Sequence, residues 1–250
     1  MKTLLLITML LSFAIAEAQN AGEIIYEEKV DIHRRMTGDR AQWKEMVPQF
    51  RTQNMILQFN DTQAMYTASP EEEDASDQVH AGDGGGRGRF FRMRMMGGAN
   101  NVVWLNHAEG QRVEQREFMD KKFLIKGAPE AFAWKLTGES MQVGAYQCFK
   151  ATFQDTTDNL VAWFTSQIPV SIGPGKYGQL PGLILHVDVN EGERTLTATE
   201  IDLRDMDASL FKEPTKGKEV TDAEFREIVK EKMQEMRAQG GGGVFIRRGH

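Results

Sequence analysis

One cysteine serves 250 residues. Cys148 has no partner within the chain, so no internal disulfide staples the fold and stability must come from burial. It sits in the strand-like run Tyr146-Gln147-Cys148-Phe149-Lys150 and reads as a buried structural thiol. Positive charge is short as well. Thirty Lys and Arg against 36 Asp and Glu leave a formal charge of −6. The chain as a whole therefore has no electrostatic reason to bind nucleic acid. No apolar run reaches the roughly 20 residues that a membrane-spanning helix needs.

Catalytic signatures are missing too. Five histidines (33, 80, 107, 186, 250) are scattered and form no H-x-x-x-H, H-E-x-x-H or Cys/His pair. The G-x-S-x-G elbow is absent, because both Gly138-Glu139-Ser140-Met141 and Val170-Ser171-Ile172 fail it. Gly84–Gly88 is glycine-rich but lacks the Gly-Lys-Ser/Thr ending of a phosphate loop. Paired carboxylates remain open as a chemistry, since acids are abundant and their spacing across a sheet is not readable. His186 points away from the Leu183/Leu185/Val187 row and reads as an exposed strand histidine, with a site histidine beside Asp188 as the alternative. No internal repeat is evident.

What is present begins at the amino terminus. Met1-Lys2, the apolar run Leu4–Ile15 and Ala16-Glu17-Ala18 read as a secretory signal peptide over residues 1–18, cleaved before Gln19. No cysteine follows the cleavage site, which argues against a lipid anchor. Residues 19–215 then carry many short alternating segments at about ten-residue spacing, separated by turn residues. They begin with residues 22–32, where Ile24, Tyr26, Val30 and Ile32 share a face that Glu28 interrupts, and with a hairpin around Asn60-Asp61. A second hairpin turns at Met119-Asp120, residues 132–136 read as a strand, and the 146–153 and 159–165 segments pair. The expected fold is mainly β, a curved antiparallel sheet (half-barrel or barrel-like), with a C-terminal amphipathic α-helix.

Two stretches break the pattern. Residues 69–100 join an acidic run, Glu71–Asp74, to Gly84-Gly85-Gly86 and then to Arg87-Gly88-Arg89-Phe90-Phe91-Arg92-Met93-Arg94-Met95-Met96. The plain reading is a solvated insertion whose opposite charges partly pair. Met93, Met95 and Met96 also offer soft thioether ligands to Cu(I), with His80 or His107, and the Arg/Phe mix suits anionic headgroups. Residues 216–250 hold a helix, a Gly240–Gly243 linker and a tail. Thr221-Asp222-Ala223-Glu224 is a capping box, and Phe225, Ile228, Val229, Met233 and Met236 follow at helical spacing. Asp222 and Arg226 are placed to pair along the helix. The tail Val244–Arg248 has strand propensity and reads as a frayed terminus or an added edge strand.

The stretch Lys176-Tyr177-Gly178-Gln179-Leu180-Pro181-Gly182-Leu183-Ile184-Leu185 carries a Pro-Gly turn that leads straight into period-two alternation. Gly182 is expected at the positive-φ position of a type II turn. With Trp163, Pro169, Gly173, Pro174 and the earlier Phe123-Leu124-Ile125 and Trp134-Lys135-Leu136 blocks, this segment from about Gln115 to Val189 resembles the GLPGLI family of exported Bacteroidota-type proteins. Gly178, Leu180, Pro181, Gly182, Leu183 and Ile184 carry most of the eponymous motif. Gln179 stands where the motif has its first Gly, so the backbone there need not be Gly-only. The resemblance implies an envelope protein without established activity that accompanies outer-membrane transport systems. Its core is similar to the half-barrels of periplasmic lipoprotein carriers, which hold apolar ligands on a concave sheet.

The combined expectation is a non-enzymatic periplasmic or outer-membrane-associated protein. It binds an apolar ligand or an envelope partner, such as an outer-membrane transport protein, and needs no cofactor. Copper handling through Met93, Met95 and Met96, or a hydrolase of unrecognised type, are the alternatives.

Overall fold

Local turn chemistry sets the strand pairs. In the computed structural model, which describes residues 20–36, 38–69 and 101–238, β2 (Phe50–Phe59) and β3 (Gln63–Ala68) meet at Asn60. Its Oδ1 accepts from the N–H groups of Thr62 (3.0 Å) and Gln63 (2.8 Å), an Asx turn. β5 (Gln111–Phe118) and β6 (Lys121–Gly127) are joined by Met119 and Asp120 alone. Both have positive φ, 51° and 59°, as a two-residue hairpin requires. β8 (Tyr146–Gln154) returns as β9 (Asn159–Thr165) through a turn where Asp155 Oδ1 takes the N–H groups of Thr157 and Asp158, each at 2.7 Å. β10 (Leu183–Val189) returns as β11 (Arg194–Leu203) around Asn190, Glu191 and Gly192, all at positive φ.

With β1 (Gly22–Asp31), β4 (Val102–Asn106), β7 (Lys135–Val143) and β12 (Lys218–Val220), these strands form one open, curved, 12-stranded sheet in the order β12-β6-β5-β4-β3-β2-β1-β11-β10-β9-β8-β7. The first strand is therefore central, pairing β2 on one side and β11 on the other. Every pair is antiparallel except β12 with β6. The chain ends its described part in α1 (Asp222–Ala238). The mainly β fold with one C-terminal helix is thus present. The expected signal peptide, the expected insertion at residues 70–100, and the expected linker and tail beyond residue 238 lie outside the described residues. Among the described residues no helix is long and apolar enough to cross a membrane.

The core lies on the face that carries Ile24, Tyr26, Leu57, Tyr66, Leu160, Ala162, Val187 and Leu196. The strands do not leave it open. Residues 166–182, between β9 and β10, lie across it and bury Ile168, Val170, Ile172, Tyr177 and Leu180. This segment is not a strand, yet its backbone groups are paired, as burial demands. Val170 N–H bonds Ile168 O, and Ile172 N–H bonds Val170 O, both at 2.9 Å. Those tight turns keep residues 168, 170 and 172 pointing inward while 169 and 171 stay exposed. The two ends are tied to each other by Leu183 N–H to Ile168 O and Ile184 N–H to Ile172 O, both at 3.0 Å. Tyr26 donates its hydroxyl to Ile184 O at 2.6 Å, which ties the central strand to the same corner. Cys148 is fully buried here, and burial pushes its thiol up to about 11.

Two smaller clusters finish the packing. On the opposite face, Met65, Trp104, Val113 and Leu124 are covered by Phe211 and Met206, with Trp104 Nε1 donating to Phe211 O at 3.1 Å. On the core face, α1 lays Phe225, Ile228 and Val229 on Phe123, Ile125 and Val220. The capping box forms as the sequence indicates. Thr221 Oγ1 accepts from Glu224 N–H at 3.2 Å, and Glu224 Oε2 accepts from Thr221 N–H at 2.7 Å.

Three local expectations change. The 132–136 strand is displaced to Lys135–Val143, running through Thr137–Ser140 with a break in register between Leu136 and Ser140. Phe132 and Trp134 are turned onto residues 166–182 instead, where Trp134 Nε1 donates to Gly178 O at 2.9 Å. Gln179 adopts φ 67°, the left-handed conformation that favours glycine, so the position keeps a glycine-like backbone despite its side chain. The Pro181 turn is three residues long, Gly182 N–H bonding Leu180 O at 2.8 Å, and Gly182 keeps the expected positive φ but at 146°, well away from the roughly +80° of a type II turn.

Gly182 is the least replaceable residue of that corner. Its φ is 146°, and a Cβ there would lie 2.0 Å from Thr165 O. Gly182→Ala should cost about 3 kcal/mol or more, whereas Gly110→Ala, at positive φ but with open space around it, should cost about 1 kcal/mol. Urea denaturation of both variants checks this, and equal losses would contradict it.

Candidate functional site

A cleft of about 600 Å³ opens where residues 166–182 meet the β4–β5 part of the sheet. Val103 and Leu105 of β4 and Arg112 of β5 form one wall, because strand alternation directs them to the core face. Pro169, Val170 and Ser171, followed by residues 175–179, form the other wall. Ala128, Pro129 and Glu130 bound a third side, and Asn20, Asp61, His107 and Gly110 stand at the strand ends.

The segment wall is held by charge. Lys176 Nζ lies 3.2 Å from Glu130 and 4.0 Å from Asp158, and 5.6 Å over the Phe132 ring. Tyr177 packs on Phe132, ring centres 5.7 Å apart. Burial pushes its hydroxyl up to about 12, so it stays protonated. Behind it, Arg194 Nε binds Glu28 Oε1 at 2.6 Å, and Gln53 Nε2 donates to Glu28 Oε2 at 2.6 Å. Burial opposes the charge on Arg194, but Glu28 together with the Tyr177 and Tyr66 hydroxyls more than offsets it, and the guanidinium stays charged. The residue that interrupts the apolar face of the first strand is therefore the buried acid of an ion pair between β1 and β11, whose arginine side chain is 33% exposed. Tyr66 stands in the field of the same pair, and burial raises its hydroxyl well above the ordinary tyrosine value.

The sheet wall is held from the helix. Arg112 Nη1 binds Glu114 at 3.1 Å and Nη2 binds Asp222 at 2.6 Å. Asp222, expected to pair along the helix with Arg226, is thus taken by β5. Arg116 Nε donates to Glu114 at 2.9 Å and its guanidinium lies 5.0 Å over the Phe225 ring. Arg112 is 6% exposed, and its Nε is buried without a hydrogen-bond partner, as is the Oδ1 of Asn20. Both residues belong to the cleft wall.

The motif residues divide between cleft and packing. Pro169 and Gly178 line the cleft. Gly173 is pressed on Ile184, where a Cβ would come within 2.8 Å, and Pro174 O accepts from Tyr177 N–H at 3.3 Å. Leu180, Leu183 and Ile184 are core, while Pro181 is exposed at the corner formed with Gly182. Trp163 lies in β9 beside His186, on the other side of the sheet from Ala162 and Val187, with Lys150 Nζ 5.8 Å over its ring. His186 is half-buried where exposure was expected. Its Nδ1 is 2.8 Å from Thr197 Oγ1, and burial lowers its pKa. His107 does reach the cleft, with Nε2 3.1 Å from Asn60 O.

Met93, Met95 and Met96 lie outside the described residues. Among the described residues no group of three His, Cys, Asp or Glu side chains is placed to hold a metal. Sequence reasoning missed the ion pair and the Arg112 cluster. The usable signals were Glu28 inside an apolar alternation and the Arg112/Glu114/Arg116 charges repeating every second residue along one face of β5.

A family model described as "Protein of unknown function (Porph_ging)" matches residues 153–186, from the end of β8 through the inserted segment into β10. No curated protein matches the chain. Two solved structures, of PNGF-II in P21 and C2 crystal forms, are similar in fold, each at a TM-score of 0.54 and 13% identity. They cover 84% of this chain but only 33% and 32% of the PNGF-II chain, so this chain spans about a third of that protein's length.

Breaking this ion pair should be costly. Arg194→Met leaves the buried Glu28 without its counter-charge but with its Gln53 hydrogen bond and should destabilise by about 2 kcal/mol, less than a fully buried pair would. Glu28→Leu combined with Arg194→Met should recover most of that loss. Chemical denaturation of the single and double variants tests the pair, and a double variant as unstable as the sum of both singles would contradict it.

Proposed function

We propose that this chain is a non-enzymatic binding protein of the bacterial envelope, of the GLPGLI type. It is exported to the periplasm or the periplasmic face of the outer membrane. Its ligand is a small, largely apolar molecule with a polar end, or a segment of an envelope partner such as an outer-membrane transport protein. The observation that carries this reading is the cleft. Its volume of about 600 Å³ lies within the range of small-molecule sites. Val103, Leu105 and Val170 supply an apolar floor, and Arg112, Asn20 and Gln179 supply polar groups beside it.

The inner face itself is filled by residues 166–182, so the ligand is received beside that segment and not on the bare sheet. The hydroxyls on the cleft wall, Ser171 and Tyr177, support binding better than catalysis. Tyr177 is held protonated, and the cleft histidine lies against the Asn60 carbonyl. The export assignment rests on the amino-terminal sequence, and the family assignment on the motif block from Trp163 to Ile184.

Extraction of the protein purified from its native cells, followed by lipid and peptide mass spectrometry, tests this. One molecular class should co-purify, and Leu105→Trp should displace it without lowering the melting temperature. A reproducibly empty protein, or equal recovery from wild type and Leu105→Trp, would overturn the reading.

A further inference from the structure

Among the described residues three buried side-chain polar atoms have no hydrogen-bond partner: Arg112 Nε, Asn20 Oδ1 and the Tyr66 hydroxyl. Two of the three residues, Arg112 and Asn20, belong to the cleft wall. A buried donor or acceptor left unpaired loses its hydration with nothing in return, so native folds keep such atoms few. One of this pair is an N–H and the other a carbonyl oxygen, so the wall lacks both an acceptor and a donor. They also come from separate parts of the sheet. Arg112 lies in β5 opposite Leu105, whereas Asn20 lies just ahead of β1, and β2, β3 and β4 stand between those strands.

The cations of the wall have no charge to spare. Arg112 is 6% exposed, with Nη1 on Glu114 at 3.1 Å and Nη2 on Asp222 at 2.6 Å. Arg116 shares Glu114, so two guanidinium groups meet two carboxylates. Lys176 lies 3.2 Å from Glu130 and 4.0 Å from Asp158, and Arg194, behind Tyr177, is matched by Glu28. His107 Nε2 is held at the Asn60 carbonyl, and Asp61 adds a further acid. A carboxylate or phosphate entering here would give up its hydration without gaining a counter-charge.

Taking the cleft as the ligand site proposed above, we infer that it receives a short, uncharged, apolar peptide segment, whose backbone gives a carbonyl to Arg112 Nε and an N–H to Asn20 Oδ1. A peptide backbone presents acceptors and donors at separate points along its length, whereas a lipid with one polar end meets only one of the two atoms. Val103, Leu105 and Val170 give the peptide's side chains an apolar floor. Main-chain hydrogen bonds then supply affinity, and the floor selects apolar side chains.

Titration calorimetry with acetyl-Val-Leu-Val-amide, acetyl-Asp-Leu-Asp-amide, octanamide and octanoate tests this on wild type, Leu105→Trp, Asn20→Leu and Arg112→Lys. The apolar tripeptide should bind about tenfold or more tighter than octanamide, while the acidic tripeptide and octanoate should not bind. Leu105→Trp should abolish the binding, and Asn20→Leu and Arg112→Lys should each weaken it by about tenfold. Melting temperatures separate lost binding from lost fold, and Asn20→Leu, outside the ion-pair cluster, decides the matter should Arg112→Lys unfold. Octanoate or octanamide binding as tightly as the apolar tripeptide, or full tripeptide binding by Asn20→Leu, would overturn the inference and leave the cleft as a small-molecule site. No binding by any of the four probes would overturn both.

Discussion

A curved sheet this wide cannot leave its inner face bare, and the face is closed by the chain's own residues 166–182. Closure demands two things at once: apolar side chains every second residue, and a partner for each buried backbone group. Ile168, Val170 and Ile172 meet the first demand. Tight two-residue-back hydrogen bonds and the ties to Leu183 and Ile184 meet the second. The Pro181-Gly182 corner then has to reverse the chain against the carbonyl of Thr165, which leaves no room for a Cβ. The turn seen in the sequence as the entry to a strand is therefore the hinge point of the whole inner face.

The cleft follows from that closure. The segment packs into the core cluster that reaches from β9 across β1 to Tyr66 of β3 and faces β4 and β5 across the cleft, while α1 covers the far end over β6 and β12. What remains between them is the site. Both of its walls are fixed by ion pairs, Lys176 with Glu130 on one side and Arg112 with Glu114 and Asp222 on the other. The Arg112–Asp222 contact makes the start of α1 part of the site's support and not a separate appendage. Glu28 enters this core paired with Arg194 and Gln53, whereas the Tyr66 hydroxyl is buried there without a hydrogen-bond partner.

Much of the fold was readable because it is local. Asn60, Met119-Asp120, Asp155 and Asn190-Glu191-Gly192 each mark a hairpin whose chemistry lies within four residues, and the capping box marks α1. Strand order was not readable, since the pairing of β1 with β11 joins residues some 170 positions apart and alternation looks the same in any order. The fate of residues 132–134 was decided by rings packing on a segment forty residues later, which no window of sequence contains. Gln179 shows that the position need not be Gly-only, yet nothing local in the sequence marks its left-handed φ of 67°. The site was barely legible, because the Leu105/Arg112 hairpin pair and Tyr177 come from stretches far apart in the chain and carry no shared motif.

Residues 166–182 are permanent core and not a lid over a ligand-holding face. Native-state hydrogen exchange of the amides of Val170, Ile172, Leu183 and Ile184 tests it directly. Permanent closure predicts exchange only through global unfolding, at the same free energy as the amides of β1. Exchange of these four amides at a much lower free energy than β1 would show that the segment opens on its own, and would contradict the account.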